Sequence, residues 1–306
     1  MNHVVITFCL TALCATWLGD RSAALRSCAT FLHELFGSVF YSIFRLVFVR
    51  APRSLAGKES ASSHRTNMVL TRLLQCMSKA SSDEKSSNSS KDGGNALSHS
   101  TADLSVVLEK MLSTREWREK LSCHNKDKQM LVLDLDETMI HSSVETKLLC
   151  KPAFMLYDED QRQHFYVYKR PFVDVFLKFL APLYHIVVYT ASFSSYSDPI
   201  IDYIDTDSII SHCLSNNSLV ETKLYGLQKD LNLVSREHMP NRLIMIDNSP
   251  IACIANQENL YVINSFRANQ PHDRELLSLL VLLVALVGAD DVRSVIHRRS
   301  IFAAEK

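Results

Sequence analysis

Three short apolar runs, each ending in polar groups, constrain the fold of this chain more than any other feature. Leu131-Val132-Leu133 leads into Asp134-Leu135-Asp136-Glu137-Thr138, His185-Ile186-Val187-Val188-Tyr189 into Thr190, and Arg242-Leu243-Ile244-Met245-Ile246 into Asp247-Asn248. Short Val, Ile and Leu runs bounded by turn residues read as strands buried on both faces, the mark of a parallel sheet with helices on each side. Leu260-Tyr261-Val262-Ile263 reads as a last strand. Between them, Pro171 to Leu180 has proline at a helix start and apolar residues at helical spacing. Ligands of such sheets bind beyond the carboxyl ends of the strands. The three endings therefore converge on one site: Asp134 and Asp136, then Thr190, then Asp247 and Asn248. Lys229, in Gln228-Lys229-Asp230-Leu231, is a candidate cation ahead of the third strand.

Asp134 and Asp136 share one side of an extended backbone. Like charges that close call for a cation or a shared proton. The simplest reading is a magnesium site with a carboxylate nucleophile and a neighbouring carboxyl acid. Taken alone, the pair serves equally well as an N-cap aspartate beside a solvated one. Taken alone, Lys229 is a surface lysine, Thr190 a hydroxyl capping the next turn, and Asp247-Asn248-Ser249-Pro250 a turn. Together they make sense as a phosphate-transfer site. His185 and His212 pair with no nucleophile and read as core or surface histidines.

Asp-Leu-Asp-Glu-Thr, Tyr-Thr-Ala-Ser, Lys-Asp-Leu and Ile-Asp-Asn-Ser-Pro, in that order, resemble the haloacid-dehalogenase superfamily. More narrowly, residues 128–300 resemble the phosphatases named after the RNA polymerase II C-terminal domain. Asp290 to Val295 is similar to the Dullard-type nuclear-envelope members. The resemblance implies an α/β haloacid-dehalogenase-like (Rossmann-like) parallel sheet with helices on both faces, a small β-hairpin insertion and no large cap domain. It implies that Asp134 attacks phosphorus and that Asp136 is the general acid and then the base. Mg2+ would lie on the Asp134 carboxylate, the Asp136 backbone carbonyl and Asn248, with Asp247 orienting Lys229 or a water on the metal. Thr190 would donate to a phosphate oxygen, Lys229 would stabilise transition-state charge, and Thr138 would fix the Asp136 carboxyl.

The chain departs from the family pattern in two places. Cys213 lies sixteen residues before Lys229 rather than about nine, so Ser215 to Tyr225 reads as a loop with extra residues. No tryptophan stands near Ser265-Phe266. Phe154 to Tyr157 and His164 to Tyr168 flank the turn-like Asp158-Glu159-Asp160-Gln161 and read as a hairpin. A site without a large cap favours a protein-borne phosphoresidue. Tyr196 is either a wall for the substrate peptide or core packing.

The remaining sequence speaks of place. Lys plus Arg and Asp plus Glu both number 33, which argues against a polyanion-binding surface and a nucleic-acid partner. The eight cysteines are scattered without metal-binding spacing, favouring a reduced intracellular compartment. Val4 to Leu18 is mostly apolar but short for a membrane span, with a cleaved signal peptide as its rival. Leu32 to Val47 has the spacing of an amphipathic helix, lying in a membrane interface or packed on the domain. Arg45, Arg50, Arg53 and Lys58 favour the cytosolic or nucleoplasmic side of an anionic membrane. Ser-rich sequence then makes a flexible linker, Leu104 to Leu121 reads as a helix leading into the domain, and Glu275 to Val287 as an apolar core helix. The expected layout is a membrane-associating segment (1–55), a linker (56–103), a catalytic domain (104–289) and a basic tail (290–306) that touches membrane or partner.

The expected protein is a Mg2+-dependent Ser/Thr phosphatase at the nuclear envelope or endoplasmic reticulum, facing cytosol or nucleoplasm. The Dullard-type resemblance implies a lipin-type phosphatidate phosphatase as substrate and a small membrane-embedded regulatory subunit as partner, which would tie the enzyme to lipid metabolism. Two alternatives stand beside it. One is a same-family phosphatase acting on the polymerase tail or another phosphoprotein. The other is a non-catalytic protein like the mitochondrial-import receptor, a class that has lost the paired acids kept here.

Overall fold

The apolar runs become adjacent strands. A computed structural model describes residues 128–144, 151–158, 161–234, 240–287 and 289–296. The chain divides into two compact units, Met1–Leu104 with Ser278–Ala285, and Ser105–Leu277 with Leu286–Lys306. Of the first, the described residues belong to one apolar helix.

In chain order the elements are β1 (Gln129–Leu133), β2 (Ile140–Ser143), β3 (Phe154–Asp158), β4 (Gln163–Lys169), α1 (Val173–Leu180), β5 (Tyr184–Tyr189), α2 (Ser194–Ile204) and β6 (Ile210–Leu214). Then follow β7 (Val220–Thr222), β8 (Gly226–Gln228), β9 (Leu243–Asp247), β10 (Leu260–Val262) and α3 (Glu275–Leu286). Five strands form a wholly parallel sheet in the order β10-β9-β1-β5-β6. Every residue of β1 and β9 is buried, and every residue of β5 except His185. That is why these runs lack the polar alternation of a half-exposed strand. Met130 and Val132 of β1, Leu243 and Met245 of β9, and Val187 and Tyr189 of β5 pack with Leu231 and Cys253 in one core cluster. Each such aliphatic side chain contributes roughly 1.5–3 kcal/mol by leaving water.

The expected sheet class holds, and so does the hairpin: β3 and β4 pair antiparallel, with Tyr157 opposite His164. β2 adds a third strand, in the order β2-β4-β3. Three expectations are corrected. The helix expected from Pro171 starts at Val173, because Phe172 takes a left-handed backbone (φ 71°) that helix cannot continue through. Ser215 to Tyr225 is folded: a short 3-10 turn (Asn216–Ser218) precedes the β7–β8 hairpin, which turns through Lys223-Leu224-Tyr225 and resumes at Gly226, opposite Thr222, with φ 67°. Arg293, expected in a basic tail, pairs instead with Asp291 and Glu258. His185 and His212 are exposed.

Among the described residues, no helix is long and apolar enough to cross a membrane. The segments 4–18 and 32–47, the linker, the Leu104–Leu121 helix and residues 297–306 lie outside the described residues.

Candidate active site

Register alone gathers the site. Leu133 pairs with Val188 on one side and Ile246 on the other. One step beyond, the Asp134 N–H donates to the Ile246 carbonyl at 2.9 Å, which sets Asp134 beside Asp247. Thr190 follows β5 and is tied to β6 through its N–H on the Leu214 carbonyl (2.9 Å). The turn after β1 is tight: Met139 and Ile140 both donate to Leu135, and Glu137 is left-handed at φ 60°. A non-glycine residue there costs about 1–3 kcal/mol, a strain that surrounding contacts must sustain. The Phe266 N–H on the Glu137 carbonyl, at 2.7 Å, is one such contact.

Asp134, Lys229 and Asp247 form a buried ion cluster. Lys229 Nζ donates to Asp134 Oδ1 at 2.6 Å and to Asp247 Oδ2 at 2.7 Å, and all three side chains are buried. Thr138 Oγ1 donates to Asp134 Oδ2 at 2.9 Å. Thr138 therefore serves Asp134 and not Asp136, correcting the expectation; the left-handed Glu137 that follows both acids turns the chain so that Thr138 comes back to Asp134. Burial works against the charge on Lys229, yet the Asp134 and Asp247 carboxylates outweigh it and hold the ammonium above its usual range. Burial, then the neighbouring Asp134 charge, pushes Asp247 up to about 6, with Lys229 opposing. The second Asp247 oxygen accepts the Ser249 N–H at 2.8 Å.

Asp136 has different company. Its Oδ1 accepts from Tyr196 Oη at 2.6 Å and its Oδ2 from Ser192 Oγ at 2.8 Å. Tyr196 is buried, its hydroxyl also bonds Ser142 Oγ, and its ring stands edge-on to Phe165. Burial raises the Asp136 carboxyl; the Tyr196 bond lowers it, and the Asp134 charge raises it again. Ser192 closes the Tyr-Thr-Ala-Ser motif, but nothing in the sequence points its hydroxyl at Asp136, 56 positions away. The sequence offers Tyr196 only as a wall or core residue, because its bond to Asp136 spans 60 positions.

Thr190 is buried, and its Oγ1 accepts the Ser192 N–H at 3.1 Å. Asn248 donates its amide nitrogen to Ser265 Oγ at 3.0 Å, which leaves the amide oxygen as its open end. Below the site Arg170 is fully buried. It grips Asp273 with two bonds of 2.8 Å and donates to the main-chain carbonyls of Thr138 and Asn264. It thus ties the β1 turn to the segment that carries Ser265. Among the described residues no three His, Cys, Asp or Glu side chains group closely enough to enclose a metal ion. The donors at hand are hard oxygens on Asp134 and Asn248. They suit a small divalent cation that keeps several waters and needs only one or two carboxylates.

The buried carboxylates and the lysine at the carboxyl end of the parallel sheet stand on the motifs that resemble the haloacid-dehalogenase superfamily. The family model described as NLI interacting factor-like phosphatase matches residues 129–293, more than half of the 306-residue chain, and the chain belongs to that family. It is 41 % identical over 168 residues to the "Probable C-terminal domain small phosphatase" of Dictyostelium discoideum, covering 54 % of this chain and 53 % of the relative. It is 35 % identical over 191 residues to "CTD nuclear envelope phosphatase 1B" of Danio rerio, covering 57 % and 74 %. "Nuclear envelope morphology protein 1" of Schizosaccharomyces pombe is 34 % identical, covering 56 % and 36 %. The chain spans about half the length, or less, of several curated relatives it matches. Likeness to the solved Fcp1, titled an essential RNA polymerase II CTD phosphatase, is faint: 19 % identity, 62 % and 52 % coverage, and a TM-score of 0.39. The family expected from the four motifs is thus the family found, and relatives named for the nuclear envelope are among its members.

Proposed function

We propose that this chain is a magnesium-dependent protein serine/threonine phosphatase that works through an aspartyl-phosphate. One observation carries the reading: a single buried lysine bridges Asp134 and Asp247 at the carboxyl end of the sheet, with Thr138 on the other Asp134 oxygen. A carboxylate offers about four lone-pair sites, so Asp134 keeps lone pairs for attack while Lys229 and Thr138 fix its orientation. An Asp134 oxygen bonds to phosphorus as the bond from phosphorus to the serine or threonine oxygen breaks. Asp136 gives its proton to that departing oxygen, then takes one from the water that cleaves the acyl phosphate. Lys229 and Thr190 meet the charge on the phosphoryl oxygens. Asp247 holds Lys229. The Asp134 carboxylate, the Asp136 backbone carbonyl and the Asn248 oxygen would hold Mg2+, with Asp247 close by. Bound there, the ion neutralises charge between an anionic nucleophile and an anionic phosphoryl group.

The proposed layout takes 104–289 as catalytic domain together with 290–296, whose Val292 N–H and Arg293 side chain bond Asn241 and Glu258, and leaves 297–306 as tail, with 1–55 holding the enzyme at the nuclear envelope or endoplasmic reticulum through the 56–103 linker. The apolar N-terminus and the relatives named for the nuclear envelope support that place. The proposed substrate there is a lipin-type phosphatidate phosphatase, and the proposed partner a small membrane regulatory subunit. Relatives named as CTD small phosphatases favour a second reading, the same chemistry on the polymerase tail. The intact pair Asp134 and Asp136 argues against a binding-only protein.

The test is p-nitrophenyl phosphate hydrolysis by the full chain, with and without Mg2+, beside Asp134→Asn. Metal-dependent turnover that vanishes in the variant is expected. Equal turnover in both proteins would contradict the assignment of Asp134. Membrane sedimentation of the full chain and of a form lacking residues 1–53 tests the place: only the full chain is expected to pellet.

A further inference from the structure

The carboxyl of a general acid has a soft terminal torsion, so its aim must come from its neighbours. Both oxygens of Asp136 are gripped, and by neutral hydroxyls: Tyr196 Oη at 2.6 Å and Ser192 Oγ at 2.8 Å. Neither donor comes from the turn that carries Asp136. Ser192 stands two residues before α2, just ahead of its N-cap Phe193, and Tyr196 lies in the first turn. A phenol has one proton. With that proton given to Asp136, the contact between Tyr196 and Ser142 must run from the Ser142 hydroxyl to the phenol oxygen. Ser142 stands on β2, so three elements set one carboxyl plane: the turn after β1, the start of α2, and the small antiparallel sheet. The tyrosine ring has little freedom to drift, being buried and edge-on to Phe165 with centroids 5.3 Å apart. Each carboxylate oxygen has about two lone-pair sites, so the hydroxyls fix the plane and leave a site on each oxygen for the transferred proton.

We propose that Ser192 and Tyr196 are the positioning residues of the acid–base Asp136, and that Ser142 orients Tyr196 for that task. The proposal rests on the acid role given to Asp136 above. It separates Tyr196 from both readings open at the sequence level, since neither a substrate wall nor plain core packing needs the hydroxyl. In the step concerned the Asp136 proton passes to the leaving oxygen as the Asp134–phosphorus bond forms and the phosphorus–leaving-oxygen bond breaks. A leaving group that departs readily without a proton gains little from that transfer. One that departs as a poor alkoxide or phenoxide needs it.

The experiment compares kcat/KM of the full chain on phenyl phosphate and on dinitrophenyl phosphate. This ratio reports only steps up to the phosphoryl transfer, and the two aryl groups are close in shape. Ser192→Ala, Tyr196→Phe and Asp136→Asn are measured side by side, each checked for an unchanged thermal unfolding midpoint. General acid catalysis in full is worth about 10²–10⁴-fold. Loss of one positioning bond is expected to lower phenyl phosphate turnover about tenfold, with a drop of about twofold or less for dinitrophenyl phosphate. Equal losses on both substrates would overturn the proposal, as would no loss on either, provided Asp136→Asn itself is leaving-group selective. If Asp136→Asn loses both substrates equally, the acid role of Asp136 fails and takes the positioning role with it.

Discussion

Asp134 and Asp136 lie two residues apart, yet they occupy different chemical worlds. Asp134 is sealed in a buried cluster of opposite charges, with Lys229 at 2.6 Å and Asp247 beyond it. Asp136 is part-exposed and bonded to uncharged hydroxyls. The ammonium places an opposite charge against its carboxylate, which suits an anionic nucleophile. Hydroxyls give direction without a compensating charge, which suits a group that must carry a proton and then lose it. One tight turn, strained at Glu137, thus presents two identical side chains to two environments.

The largest effect that would break or sharpen this contrast belongs to Asp134→Asn. The kcat/KM of any phosphomonoester should fall at least about 10⁴-fold, as expected for removing a nucleophile, whereas Asp136→Asn should keep most of its kcat/KM on dinitrophenyl phosphate, whose leaving group needs no proton. Similar losses on that substrate would erase the contrast.

Next comes Lys229→Met. It leaves Asp134 and Asp247 buried without their cation, so chemical denaturation should show about 3–5 kcal/mol less stability. Activity should fall about 10²–10³-fold from the lost charge stabilisation.

The same cluster predicts a pH effect on the metal-free chain. Asp247 sits at about 6 when folded against an ordinary 3.8. The native state therefore binds its proton more tightly, and the resulting stability is present below about pH 4 and lost as pH rises through about 6. Urea midpoints taken across that window should fall with pH, and Asp247→Asn should flatten the slope.

Thr138→Val removes one neutral donor from Asp134 and should cost about 1–3 kcal/mol of stability, with a smaller kinetic loss than Lys229→Met that is equal for good and poor leaving groups. Ser142→Ala acts only through Tyr196. It should give the smallest change, visible on phenyl phosphate alone.

Much of this contrast was hidden in the sequence. β1, β5 and β9 were legible because strands buried on both faces need unbroken apolar runs, and their polar endings named Asp134, Thr190, Asp247 and Asn248. The partners of Asp136 were not. Ser192 and Tyr196 lie 56 and 60 positions away and reach it only after a crossover into α2. α2 itself carries an internal proline, Pro199, and lacks a side-chain N-cap, so its start leaves little mark. β6, as Ile-Ser-His-Cys-Leu on the sheet edge, and β2, as Ile-His-Ser-Ser, are only partly buried and carry no strong apolar pattern. Chain proximity points Thr138 at Asp136, and only the left-handed Glu137 between Asp136 and Thr138 turns the hydroxyl back to Asp134.

The most direct test of the division of labour is mass spectrometry, of the intact chain and of its pepsin peptides, after acid quench of the full chain with Mg2+ and dinitrophenyl phosphate. The Asp136→Asn protein, lacking its base, should accumulate the mass of one phosphoryl group on the peptide carrying Asp134, and Asp134→Asn should accumulate none. A phosphoryl group on another residue, or its absence from an Asp136→Asn protein that still releases dinitrophenol, would contradict the account.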